Sequence, residues 1–172
     1  MRKYLFLFIT TLSFIGNSQD ARFGIRSIEQ SNGVSTTLSN YYEFGYNLGF
    51  DISAAYDRHL LALRANIGGE VDILSSALNQ YFNLSFIYGR EFAINDWLVL
   101  EGFTGIGYVN FSKENVDTNW LREEHRALNF PVAFKTLFLN GKVFSMGLNT
   151  AIDFNLFQVL YTTNLTFQFK FR

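Results

Sequence analysis

Between Tyr42 and Tyr56 every second residue is apolar or aromatic: Tyr42, Phe44, Tyr46, Leu48, Phe50, Ile52, Ala54 and Tyr56. Between them stand Glu43, Gly45, Asn47, Gly49, Asp51, Ser53 and Ala55. Successive side chains of a strand point to opposite faces, so a period of two reports a sheet whose two faces meet different surroundings.

The alternation returns along the chain. Over 60–73, Leu61, Leu63, Ala65, Ile67, Val71 and Ile73 oppose Arg64, Asn66, Gly68, Glu70 and Asp72. Over 82–92, Phe82, Leu84, Phe86, Tyr88 and Phe92 oppose Asn83, Ser85, Gly89 and Glu91. Over 143–154, Phe144, Met146, Leu148, Ile152 and Phe154 oppose Ser145, Gly147, Asn149 and Asp153; over 159–171 the aromatic row ends in Phe167, Phe169 and Phe171. Segments 97–109 and 127–138 keep the period less strictly, and 21–28 reads as a first, weaker strand. These make eight strands. Asp57-Arg58-His59, Asn95-Asp96 and Asn140-Gly141-Lys142 read as tight turns, the last with the Asn-Gly pair that favours a two-residue hairpin. The links at 29–40 and 111–125 are long, and those at 74–79 and 155–158 are moderate. Short turns at one end and longer loops at the other suit a closed antiparallel up-and-down transmembrane β-barrel of about eight strands. Ten strands result if the long loops contribute.

Side-chain size decides which face is outside. Aromatics make up 18% of the chain, with 20 phenylalanines. An eight-stranded interior holds a limited set of side chains, and the apolar faces of all eight strands would overfill it. The opposite faces, rich in Gly, Ser, Asn and Ala, suit a narrow lumen. The reading is lipid outside and polar groups inside, with interfacial girdles from Tyr41, Tyr42, Tyr56, Tyr81, Phe82, Phe92, Trp97, Tyr108 and Tyr161.

Residues 1–18 read as a cleaved signal peptide: Arg2 and Lys3, an apolar run from Tyr4 to Ile15, then Gly16-Asn17-Ser18 before Gln19. That run is shorter than the roughly 20 residues a membrane helix needs. Residues 19–172 then form one barrel domain carrying 12 basic against 15 acidic side chains, since 2 of the 14 basic residues belong to the leader. With no basic stripe, nucleic acid is not an expected partner. There are 0 cysteines, so stability rests on packing and hydrogen-bond closure.

The predicted lumen carries Arg22, Arg26, Arg64, Lys135 and Lys170 against Glu43, Asp51, Glu91, Glu101 and Asp153. Charges of both signs in a narrow interior should pair into a network that plugs the barrel, so no open pore is expected. His59 falls in a turn. His125 closes the 111–125 loop beside Glu123 and Glu124 without a second His or Cys to complete a metal site. No metal, cofactor or enzymatic activity is expected. Trp120 and Leu121, amid charged loop residues, are a candidate contact for a surface partner or lipopolysaccharide, or pack on the rim. Gly102, Gly105 and Gly107 sit inside a strand and mark close approach or curvature.

Pro131 is unexpected in a paired strand, because it lacks a ladder donor. Its surroundings, Leu128-Asn129-Phe130-Pro131-Val132-Ala133-Phe134-Lys135, resemble the aliphatic-x-Ile-Pro-Leu-Leu-x-Lys segment of the outer-membrane β-barrel family common in Bacteroidetes. Residues 22–27 and the Gly-rich hairpins are similar to that family's pattern too. The family's barrels commonly end on an aromatic residue, whereas here Arg172 follows Phe171. The resemblance implies an outer-membrane location and the barrel fold; lipid and lipopolysaccharide are the expected surroundings and the barrel-assembly machinery an expected partner. It implies no reaction.

The expected function is a non-enzymatic outer-membrane barrel with a structural or surface-interaction role through the long loops. The alternatives are a lipid-modifying outer-membrane enzyme with His125 as base, and a soluble periplasmic lipocalin-like carrier with its aromatic face inward.

Overall fold

The computed structural model describes residues 23–37, 44–70, 77–115 and 121–171. They form one closed antiparallel barrel of eight strands in chain order: β1 (Gly24–Thr37), β2 (Gly45–Tyr56), β3 (His59–Glu70), β4 (Ala77–Ala93), β5 (Val99–Asn115), β6 (Leu121–Asn140), β7 (Phe144–Asn155) and β8 (Val159–Lys170). β8 pairs back onto β1 from Ser27↔Lys170 to Thr37↔Leu160. Closure leaves the body of the sheet without an edge, which is what a sheet in hydrocarbon requires.

The period of two sorts the side chains as the sequence predicts. Asn47, Asp51 and Ser53 of β2 are buried in the lumen, while Phe44, Tyr46, Leu48, Phe50 and Ile52 point outward and are exposed. On β4 the outward face is apolar from Phe82 to Tyr88 and is bracketed by exposed Gln80 and Arg90. At about 3.4 Å per step and a tilt of about 45°, the six steps from Phe82 to Tyr88 rise roughly 14 Å and the ten between Gln80 and Arg90 roughly 24 Å, so the polar brackets stand about as far apart as the apolar band of outer-membrane barrels, about 25 Å, is tall. Polar residues fill the inside, which overturns the carrier with an inward aromatic face. Tyr81 departs from the girdle reading: it faces the lumen at 3% exposure.

The links also differ in detail. The tight β2–β3 turn puts Asp57 at φ 55°, a left-handed conformation that Asp tolerates. Asn140-Gly141 does not make the expected two-residue turn, because Gly141 has no positive φ and its N–H donates to the Phe144 carbonyl at 2.9 Å. A register shift between Leu137 and Leu139 has already altered the pairing on which that turn would rest. At 94–98 and 156–158 the side chains of Asn95 and Asn155 each accept two N–H groups from the residues after them, a side-chain imitation of a turn.

The largest difference is at the loop end. β4, β5 and β6 run 17, 17 and 20 residues, against 12 for β2, β3, β7 and β8. Much of the expected 111–125 loop is therefore strand, as is 29–37 of the first expected loop. Three strands rise as a flap beyond the rest of the wall. There the alternation fades because both faces meet water, and pairing rests on the backbone and on cross-strand neighbours such as Lys113↔Glu123.

Pro131 sits where the β5–β6 ladder lapses: pairs run to Thr104↔Val132, skip Gly105 and Ile106, and resume at Gly107↔Asn129 in the same register. Proline has no N–H to give β5, while on its other side it pairs with Asp153 without interruption.

Candidate functional site

The lumen is a stack of polar layers. At the turn end a register shift between Ile25 and Ser27 leaves Arg26 without a partner on β2. In unbroken alternation Arg26 would face outward with Ile28; the bulge turns it inward, where it pairs with Glu91 and, at 2.9 Å, with Glu101. Lys170 donates to Asn140 Oδ1 at the same level.

The next layer is buried. Lys135 Nζ lies 2.5 Å from Glu29 Oε2 and 3.4 Å from Glu101 Oε2. Arg64 forks onto Asp51, with Nη2 donating to Oδ2 at 2.8 Å and Nε at 3.1 Å from both oxygens. The Phe103 ring stands between the two cations, 5.1 Å from Lys135 Nζ and 5.9 Å from Arg64 Cζ. On its other flank Phe103 joins Leu60, Ala62, Ile87, Ala133 and Ala151 in a small apolar cluster. Glu29 is the residue the sequence reading missed. It lies in the loop expected at 29–40, and its inward position appears only once β1 is extended to Thr37.

The upper layer is built from amides. Asn129 and Asn83 donate to Asp153 Oδ1 at 2.7 and 3.1 Å, Asn47 donates to Asn164 at 2.8 Å, and the Tyr81 hydroxyl donates to Asn47 Oδ1 at 2.6 Å. Asp153, expected among the ion pairs, is held by amides instead. Tyr81 and Leu160, with Phe111, close the lumen above these layers. The interlocked side chains leave the lumen suited to fixing strand register and unsuited to conduction. Glu43 and Arg22, also expected there, lie outside the described residues.

Packing in this stack is tight enough to test. A Cβ at Gly89 would lie 2.3 Å from the Phe103 ring and 2.6 Å from the Gly102 carbonyl, whereas one at Gly102 would meet nothing within 4 Å. Gly89→Ala is expected to cost about 1–3 kcal/mol by overpacking. Gly102→Ala should leave the urea midpoint of the refolded barrel nearly unchanged, and equal shifts for the two would contradict this packing.

Above the plug, the concave inner side of the flap and the β7–β8 turn enclose a mouth pocket of about 420 Å³. Phe111, Lys113, Glu123, His125, Phe157 and Gln158 are among its walls, and the His125 and Phe157 rings lie 5.1 Å apart. His125 is thus an exposed strand residue paired with Phe111, not a loop residue. Trp120 lies outside the described residues. Leu121 opens β6 opposite Asn115. Among the described residues, no group of three His, Cys, Asp or Glu side chains could hold a metal.

No family model matches the chain, and no curated protein matches it. Solved structures do. Ail, the attachment invasion locus protein of Yersinia pestis, superposes with TM-score 0.64 at 14% identity, covering 86% of this chain and 99% of Ail. A further Ail structure holds the heparin analogue sucrose octasulfate. Neisserial surface protein A superposes with TM-score 0.62 at 8% identity, covering 87% and 97%. The chain has the fold of the small outer-membrane barrels. The outer membrane enzyme PagL superposes with TM-score 0.56 at 17% identity, covering 83% and 99%. That finding corrects the expectation of a non-enzyme: the same fold carries an enzyme, so enzymatic activity stays open.

Proposed function

We propose that the protein is an integral outer-membrane barrel, exported by cleavage after Ser18, whose plugged body anchors a surface-contact device at the loop end. One observation carries this reading: an outward apolar band encloses an interior filled by interlocked charges and amides. Such a body has no use for solutes and a strong requirement for lipid. The flap above the band is the contact element, and Trp120 and Leu121 are its candidate contact residues. Lipopolysaccharide is the surrounding lipid, and the barrel-assembly machinery inserts the chain. The segment around Pro131 supports membership of the Bacteroidetes-type barrel family. Ail, of the same fold, binds a heparin analogue, which supports a role in surface contact.

Fractionation of cells followed by gel mobility with and without boiling tests the anchor. Extraction by detergent alone, a heat-dependent mobility shift and a mass beginning at Gln19 are expected. Recovery in the soluble periplasm would sink the proposal. Orientation is tested separately by an epitope inserted at 117–119, which antibody should reach on intact cells, and one at 57–58, which it should not.

A further inference from the structure

The β6–β7 ladder begins at Asn129↔Asn155, whereas the β5–β6 ladder continues to Asn115↔Leu121. Over 121–128, therefore, β6 is paired on its β5 side, and among the described residues no strand pairs with its other side. That edge runs roughly 24 Å at strand rise. A sheet edge presents amide donors and carbonyl acceptors at strand spacing, and the chemistry that matches such a row is another extended backbone.

Pro131 fixes the direction of these groups. The lapse of the ladder opposite Gly105 and Ile106 shows that the residue-131 N–H position points toward β5. Directions alternate along a strand, so His125 and Ala127 donate toward β5, while Arg126 and Leu128 turn their N–H groups to the open side.

A second, independent observation lies beside this edge. The mouth pocket is bounded by His125 of the edge strand and by Phe157 of the turn below it. Leu156, next to Phe157, is 92% exposed, more than any other large apolar residue described. A strand laid along β6 would cover Leu156 and send every second side chain over the His125 and Phe157 rings. Glu123, Glu124 and Arg126 make the edge charged, which discourages indiscriminate pairing and favours a selected partner.

We propose that the open edge of β6 over 121–128 binds an extended peptide segment of another protein by adding it as a strand, with a large apolar side chain in the mouth pocket. This rests on the surface-contact reading above and names its partner as polypeptide. The backbone ladder supplies affinity and the pocket supplies selectivity.

A displayed library of random nine-residue peptides, panned against the refolded mature barrel in nanodiscs, tests the inference. The Arg126→Pro variant is the counter-target, since it removes an open-side donor without breaking a β5–β6 hydrogen bond. Its fold is checked by the heat-dependent gel shift, and Leu128→Pro serves if that check fails. Enriched peptides with apolar residues at alternate positions are expected. They should lose about tenfold or more in affinity for Arg126→Pro, and a similar amount when their alternate amides are N-methylated. Phe157→Ala should weaken them severalfold. The inference is overturned if no peptide is enriched over the counter-target, or if N-methylated peptides bind equally. A wild-type barrel that sediments as a dimer, and becomes a monomer with Arg126→Pro, would give the edge to a second copy instead. None of these results bears on the epitope experiment, which judges the surface-contact reading alone.

Discussion

Replacing Lys135 by methionine should destabilise the barrel by about 3–5 kcal/mol, the cost of removing one partner from a buried ion pair. Lys135 Nζ is the cation nearest to Glu29, and it also faces Glu101. Without it, Glu101 retains Arg26 but Glu29 is left as an uncompensated buried charge. Methionine keeps the length and the contact with Phe103, so the loss reports charge and not volume. Removing both charges, as in Lys135→Met with Glu29→Gln, should recover most of the stability. Urea unfolding of the refolded protein in lipid vesicles measures both. A single variant within about 1 kcal/mol of wild type, or a double variant no better than the single, would show that the pair does not fasten the lumen.

The same pair shows how far the sequence was readable. Arg64 and Asp51 are directly opposite on neighbouring strands, each clearly on the small, polar face, and both could be placed inward by counting in twos. Glu29 could not, because it followed a weak first strand and preceded a run of Ser, Asn, Gly and Thr that reads as loop. Those small polar residues are what a crowded lumen selects, so the interior of a barrel resembles a loop in composition. Strict alternation sends Arg26 outward, and the bulge that turns it toward Glu91 and Glu101 is invisible to a period of two. The flap was hidden for a different reason. Above the lipid no face of a strand need be apolar, and Arg122 to Arg126 carry no alternation to detect. Tyr81 was misplaced because an aromatic near a strand end fits a girdle by composition; only its register, one residue out of phase with Phe82, sends it to Asn47.

Arginine at Phe86 decides whether the outward face meets lipid. Phe86 is 54% exposed near the middle of the band on β4, opposite Leu63 and Ile106 of the neighbouring strands. In water, an exposed Phe→Arg change is close to neutral, within about 0.5 kcal/mol. In a bilayer the same change near the midplane costs about 2–4 kcal/mol and falls to about 0–1 near the interface. Gln80→Arg, on the same strand and the same face but above the band, is therefore the matched control, because depth is what chiefly distinguishes it. A large cost at 86 with a small one at 80, measured by unfolding from lipid vesicles, would place the hydrocarbon boundary between Gln80 and Phe86. Equal small costs at both positions would mean that water reaches Phe86, and the anchor on which the surface-contact reading depends would fail with it.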